Sequence, residues 1–132
     1  MKKLLNEHRI LGDGRGQLIA IESDIHIPFE IKRVFYIYGT QPNVTRGQHS
    51  HHKTKQYLLA VNGSCKVTLD NGQNKETHEL NRPNIGLFQD AMVWGTMHDF
   101  SADCVLLVLA DQHYNETDYI RNYDDFKLAL RS

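Results

Sequence analysis

The chain has 132 residues, with 15 Lys and Arg against 16 Asp and Glu, so its formal net charge at pH 7 is −1. This length predicts one domain, residues 1–132, with a single core. Charges so closely balanced produce no field that would attract nucleic acid or an anionic membrane, and no stretch approaches the ~20 apolar residues of a membrane span. Any anionic ligand must therefore be bound by a few placed arginines.

Short apolar or alternating runs recur along the chain, with turn residues between them. Asn62-Gly63 and Asn71-Gly72 are strong signals for tight turns, because both residue types tolerate a positive φ. Regularly spaced short strands favour an all-β sandwich or barrel. The predicted strands are residues 17–22, 31–38, 56–61, 64–70, 75–80, 85–89, 92–94 and 104–110.

The two cysteines favour a cytoplasmic protein. Cys65 and Cys104 stand inside apolar runs, there is no CxxC motif, and the N-terminus lacks the apolar core of a secretory signal. We expect both thiols to be reduced and buried.

The tail from residue 116 to residue 131 departs from the strand pattern. Its large side chains recur at spacings of three and four, which predicts one or two short amphipathic helices. Asp124 is the expected cap of the second helix. The residues that carry this spacing are Tyr119, Tyr123, Phe126 and Leu130.

One short motif carries the chemistry. His49 and His51 follow a Pro/Asn/Gly loop and precede an apolar run, and on a strand they share one face while His52 points to the other. The spacing from these histidines to Gln56 and then to Gly63 matches the first signature of a cupin, a jelly-roll barrel also called a double-stranded β-helix. Gln56 stands where metal-binding cupins usually have Glu.

The substitution at Gln56 bears on whether the barrel holds a metal. A metal cupin adds a carboxylate and a third histidine to the first two, a set that suits a divalent first-row ion. Here the carboxylate is lost, and Gly95 occupies the place of the third histidine, with His98 three residues further on. The sequence favours histidines acting as acid and base without a metal. A metal-dependent cupin enzyme with His49, His51, His98 and Gln56 as ligands stays an alternative.

Six motifs, taken in chain order, resemble the cupin sugar 3,4-ketoisomerases that act on dTDP-4-oxo-6-deoxy-glucose. They are RGxLxAIE at 15–22, IPFxIKRV at 27–34, RGxHxH at 46–51, NGSC at 62–65, VWxxMHDF at 93–100 and ETDYIRxY at 116–123. The resemblance implies an enzyme without metal or cofactor, an intramolecular oxidoreductase. It also implies a homodimer whose N-terminal strands cross to the partner's sheet, working in the synthesis of nucleotide-linked amino sugars for bacterial surface glycans.

Moving a ketone from C4 to C3 requires a base for the C3 proton and an acid that protonates C4. Histidine suits both steps at neutral pH, which makes His49 and His51 the expected catalytic residues. Arg33 and Tyr36 are expected donors to the enediolate oxygens. Guanidinium groups match diphosphate oxygens, and four are expected to bind substrate. They are Arg15, Arg33, Arg46 and Arg121. Trp94 is expected in the barrel core, with stacking on the base as the alternative.

Two departures from the family pattern bear on the product. Phe35 stands where relatives often have Tyr, and Gly95 stands where they tend to have His or Arg. A gluco product needs a proton from the ring face opposite the C3 hydrogen, and Gly95 leaves one fewer side chain to deliver it. Arg15 matches the galacto-forming members. The sequence therefore predicts dTDP-3-oxo-6-deoxy-galactose; a gluco product and a non-catalytic sugar-nucleotide binding domain are the alternatives.

Overall fold

The computed structural model describes residues 4–132 and is built almost wholly of short antiparallel strands. One 3₁₀ turn, Glu116–Asp118, and one α-helix, α1 at Tyr123–Leu130, lie near the C-terminus. The strands are β1 Leu5–Glu7, β2 Leu11–Asp13, β3 Gly16–Leu18, β4 Arg33–Tyr38, β5 Arg46–His51, β6 Gln56–Asn62, β7 Cys65–Asp70, β8 Lys75–Leu80, β9 Ile85–Gln89, β10 Trp94–His98, β11 Val105–Ala110 and β12 Tyr119–Ile120.

The strands form two five-stranded sheets that face each other. The first sheet has the order β1-β9-β6-β11-β4, and the second has the order β12-β5-β10-β7-β8. The β2-β3 hairpin stands apart from both. Apart from β7 and β8, neighbouring strands in these sheets are not consecutive in sequence, as in a jelly roll. The prediction of an all-β cupin barrel with a short C-terminal helical segment is confirmed.

The first sheet is covered on both faces, which explains its nearly continuous apolar strands. Leu58 on β6 packs in the core between the sheets, whereas its neighbours Tyr57 and Leu59 pack on the outer face against Ile27 and Phe29. Segment 19–32 therefore covers this outer face as irregular chain. The predicted strand at 17–22 is wrong beyond residue 18, because the chain there packs on the sheet, with Ile21 partly buried, rather than pairing with a strand.

Both predicted Asn-Gly turns are confirmed. Gly63 (φ 64°) links β6 to β7, and Gly72 (φ 94°) lies between β7 and β8. At Gly63 an added Cβ would lie 2.8 Å from the Cα of Cys104, so the position needs glycine for its space as well as its φ. Cys65 and Cys104 are free and buried, as expected, and burial raises the pKa of Cys65 to about 12.

The C-terminal segment is only partly helical. Tyr119 and Ile120 form strand β12 on the edge of the second sheet, so the predicted helix across Tyr119 is wrong. The cap of α1 is Asn122, which accepts a hydrogen bond from the backbone N–H of Asp125 at 3.0 Å, rather than Asp124. Within residues 4–132, no helix has the length and apolar character needed to cross a membrane.

Candidate active site

Strand β5 turns two imidazole rings toward the inside of the barrel. A register shift opposite Gly95 and Thr96 leaves Gln48 as an extra residue, with φ 54°, next to Gly47 at φ 84°. Such a bulge re-aims the side chains that follow it. The rings of His49 and His51 then meet edge to face, with centroids 4.9 Å apart. The prediction that these two histidines share one face is confirmed.

The bulge also fixes the proton on His49. Its Nδ1 lies 3.0 Å from the carbonyl oxygen of Gly47, and a carbonyl only accepts, so Nδ1 carries the hydrogen. Nε2 is then the basic nitrogen. Burial lowers the pKa of His49; the Gly47 hydrogen bond opposes this shift, and the charges of Arg121 and Arg33 add to it. His49 is therefore neutral at pH 7, with a lone pair available at Nε2.

His51 is held more firmly in the neutral form. It is 3% exposed, and its Nε2 has no hydrogen-bond partner within residues 4–132. Burial lowers its pKa to about 4, and the nearby His49 adds to the shift while Asp118 opposes it. The folded chain therefore keeps this ring neutral at pH 7.

The C-terminal segment closes the site over these rings. Tyr119 pairs with His51 across β12 and β5, and its ring centroid lies 4.4 Å from His51 and 5.1 Å from His49. The guanidinium of Arg121 lies over the Tyr119 ring at 4.3 Å. Sequence reasoning missed Tyr119 as a site residue, because its spacing to Tyr123 imitates a helix.

An acidic residue positions the Arg121 guanidinium. Glu116 accepts hydrogen bonds from Arg121 Nε at 2.8 Å and Nη2 at 3.0 Å, and from the hydroxyl of Tyr114. These bonds, first those from Arg121 and then that from Tyr114, lower the pKa of Glu116 to about 2. A charged carboxylate therefore holds Arg121 beside the histidines.

Asp118 ties this segment to the loop after β5. Its carboxylate accepts from the Lys53 N–H at 2.7 Å, from the Thr54 N–H at 3.2 Å and from the Thr54 hydroxyl. Burial alone would raise the pKa of Asp118, but the Thr54 and backbone hydrogen bonds outweigh it and lower the pKa. The anchoring carboxylate is thus ionised at neutral pH and places negative charge near His51.

Arg33 reaches the site from the first sheet. Its guanidinium lies 5.4 Å from the ring centroid of Phe35 and 5.6 Å from that of Tyr114, and its buried Nε has no partner within residues 4–132. Its charge helps to lower the pKa of both histidines. Arg33 and Arg121 are therefore the two predicted arginines that the fold brings to His49 and His51.

Three predicted site residues make no described contact with the histidines of their own chain. Arg15, on the β2-β3 hairpin, is 91% exposed and pairs with Asp13 at 2.6 Å. Tyr36 is 62% exposed and points to the face of β4 opposite Arg33. Arg46 is exposed at the start of β5. Their roles in substrate binding stay predictions.

Trp94 and His98 both lie outside the barrel. The Trp94 ring packs on α1, 5.3 Å from Tyr123 and 5.8 Å from Phe126, so its predicted place in the barrel core is wrong. His98 bonds to Thr68 at 2.8 Å on the outer face of the second sheet. The ligand set of the metal alternative therefore does not come together, because His98 and His49 lie on opposite faces; no other group of three metal-ligating side chains occurs within residues 4–132.

Two neutral imidazoles on the inner face of a jelly-roll barrel define a cupin with a candidate acid–base site. The chain belongs to the family described as FdtA: WxcM-like, C-terminal, which matches residues 1–131. It is 50% identical over 125 residues to TDP-4-oxo-6-deoxy-alpha-D-glucose-3,4-oxoisomerase of Aneurinibacillus thermoaerophilus. The alignment covers 95% of this chain and 89% of that protein. The predicted family, the sugar 3,4-ketoisomerases, and the predicted class of enzyme are confirmed.

Two solved structures are similar over almost the whole chain. One is a mutant of the 3,4-ketoisomerase QdtA from Thermoanaerobacterium thermosaccharolyticum in complex with TDP-4-keto-6-deoxyglucose, at 45% identity, a TM-score of 0.93, and coverage of 96% of this chain and 92% of that one. The other is the WlaRB TDP-quinovose 3,4-ketoisomerase from Campylobacter jejuni, at 46% identity, a TM-score of 0.90, and coverage of 94% and 95%.

The low pKa of His51 predicts how stability depends on pH. The unfolded chain protonates this residue near its ordinary pKa of 6.5, whereas the folded chain does so near 4. Below about pH 6.5 the unfolded state binds more protons, so the free energy of unfolding falls as pH falls, by up to about 1.4 kcal/mol per pH unit from this residue. Urea unfolding between pH 7 and pH 4 should give a flatter profile for His51→Asn than for wild type. Parallel profiles would contradict the depressed pKa.

Proposed function

We propose that this protein isomerises TDP-4-oxo-6-deoxyglucose by moving the ketone from C4 to C3, with His49 as the base. The observation that carries the proposal is the geometry of His49, whose Nδ1–H is fixed by Gly47 while Nε2 stays basic on the inner face of the barrel. The substrate is supported by the relative that is 50% identical and named for this reaction, and by the complex of QdtA with TDP-4-keto-6-deoxyglucose.

In the proposed reaction His49 Nε2 takes the hydrogen from C3, which the neighbouring carbonyl acidifies. The electrons of the C3–H bond form the C3–C4 double bond of an enediolate, and the negative charge moves to the C4 oxygen. The proton of the C3 hydroxyl then moves to the C4 oxygen, and the imidazolium returns a proton to C4, which leaves a carbonyl at C3 and a hydroxyl at C4. The sugar is neither oxidised nor reduced overall, so the reaction needs no electron acceptor.

Charge that develops on the enediolate needs fixed donors. The charges of Arg33 and Arg121 act on both histidines, and both side chains are held in place, Arg33 by its rings and Arg121 by Glu116. We assign them to the sugar oxygens and the diphosphate, with Arg46 as a further diphosphate ligand. His51, which is neutral and meets the ring of His49 edge to face, is the second proton carrier.

We further propose a homodimer in which the N-terminal strands exchange. The β2-β3 hairpin exposes Leu11 (40%) and Leu18 (58%), and the edge strand β4 exposes Tyr36 and Tyr38 on its outer face. Apolar surface on a projecting hairpin and on an open sheet edge fits mutual coverage by two copies. The exchange would bring Arg15 to the site of the partner subunit.

The proposed product is TDP-3-oxo-6-deoxy-galactose, made in the cytoplasm for surface glycans. Overall identity does not choose the product, because WlaRB, at 46% identity, is named for quinovose, a gluco sugar. The choice rests on Gly95, which supplies no side chain on the far side of the sugar, and on Arg15. One imidazole on the lower face of the ring can then take the C3 hydrogen and return it to C4.

His49→Asn should abolish isomerisation and leave binding of dTDP within a few-fold of wild type. Loss of a general base costs about 10² to 10⁴ in rate, while the phosphate contacts remain. Stopped assays with NMR of the product measure the first quantity and calorimetry the second. His52→Asn, on the opposite face, is the matched control and should retain activity. More than about a tenth of wild-type turnover in His49→Asn would move the base elsewhere.

Mixing two inactive variants tests the exchanged dimer. If Arg15 of one copy completes the site that contains His49 of the other, a heterodimer of Arg15→Ala with His49→Asn has one intact site. When equal amounts are refolded together, half of the dimers are heterodimers, so about a quarter of all sites are intact and about a quarter of wild-type activity should return. Each variant refolded alone stays inactive. No recovery, with heterodimers demonstrated by mass spectrometry, would place Arg15 outside the partner's site.

Substrate deuterated at C3 tests the single-base route. The C3 hydrogen and the C4 hydrogen of a galacto product lie on the same ring face, so part of the label should appear at C4 in ordinary water, and exchange on the imidazole removes the rest. NMR of the product gives both label and configuration. A C4 hydrogen on the upper face would exclude both the single-base route and the galacto product.

A further inference from the structure

A row of residues crosses the inner face of the first sheet, opposite the histidines. The strand registers pair Arg33 with Ala110, Ala110 with Gln56, and Gln56 with Gln89. Directly paired residues share one face of a sheet. Leu58, two residues after Gln56, lies in the core between the sheets, so this row also points into the barrel.

The two glutamines of the row are buried but incompletely bonded. Each is 5% exposed. Gln89 Nε2 donates to the carbonyl oxygen of Val93 at 3.1 Å, while Gln89 Oε1 and the Gln56 amide make no hydrogen bond within residues 4–132. Within residues 4–132, the unpaired atoms that are fully enclosed do not include those of Gln56 and Gln89, so these amide atoms keep some accessible surface. Buried amides with unused bonding capacity are suited to a ligand.

Gly95 makes the room for one of these amides. Gly95 pairs with His49 across β10 and β5, so a side chain at position 95 would stand next to the histidine. A Cβ added there would lie 2.5 Å from Gln89 Nε2 and 3.1 Å from its Cδ. The carboxamide of Gln89 therefore fills the space that a residue at position 95 would otherwise take.

We propose that Gln89 is a specificity-determining residue that binds an oxygen at C3 or C4 of the sugar beside His49. This inference rests on the proposed function and deepens it. A carboxamide both donates and accepts hydrogen bonds, so it can hold the carbonyl before the reaction and the hydroxyl after it. It is not an acid at neutral pH, so it holds the sugar without delivering a proton to the ring. Proton transfer is thereby left to the imidazoles.

Replacing the amide with an apolar group of similar length tests the contact. Gln89→Met should lower kcat/KM about tenfold or more, because the oxygen loses its partner in a buried site. The affinity for TDP, which lacks the sugar, should stay within about twofold of wild type. A general loss of structure would instead lower both kcat/KM and the affinity for TDP. Gln73→Met, on the exposed β7-β8 turn, is the matched control. Wild-type kcat/KM in Gln89→Met would overturn the proposal.

A double-mutant cycle tests the link to Gly95. Gly95→Ala should lower kcat/KM because its Cβ displaces the amide, whereas in a Gln89→Ala background, where that space is empty, Gly95→Ala should have little further effect. Equal losses from Gly95→Ala in both backgrounds would overturn the link. The activity of wild type separates the two proposals. If wild type isomerises the substrate and the Gln89 variants do so equally well, this inference alone fails. If wild type does not isomerise the substrate, the proposed function fails and this inference fails with it.

Discussion

The burial of His51 and the partial burial of the adjacent His49 are the constraint on which the site depends. The rings are 4.9 Å apart, and two positive charges at that distance repel by about 3 kcal/mol at an effective dielectric constant of about 20. Burial and two nearby arginines act in the same direction. The site therefore keeps both rings neutral at pH 7, which is the state in which an imidazole can accept a proton from carbon.

The C-terminal segment, and not the barrel alone, covers these two rings. β12 lays Tyr119 against both rings, and Asp118 fastens the same segment to the loop after β5. Glu116 holds Arg121 over the Tyr119 ring. The carboxylates of Glu116 and Asp118, which anchor this segment, are ionised because hydrogen bonds lower their pKa values. The anchored segment helps to bury the histidines, and burial lowers their pKa values in turn.

The sequence predicted the parts of this site that follow from local spacing. His49 and His51 share a face because the side-chain period of a strand is two, and the Asn-Gly turns follow from positive φ. Tyr119 could not be found in this way, since its spacing to Tyr123 satisfies a helical pattern and only pairing with β5 makes it a strand. The place of Trp94 likewise depends on where α1 docks. Gln89 has no signal at all until the packing of the two sheets places it against Gly95.

The most direct measurement is the position of the carbonyl after incubation with TDP-4-oxo-6-deoxyglucose uniformly labelled with ¹³C in the sugar. If His49 takes the C3 proton, the carbonyl carbon in the NMR spectrum should change from C4 to C3, and in D₂O deuterium should enter at C4. A carbonyl that stays at C4, with C3 still fully protonated while TDP-sugar is bound, would contradict the proposed isomerisation and leave a binding protein in its place.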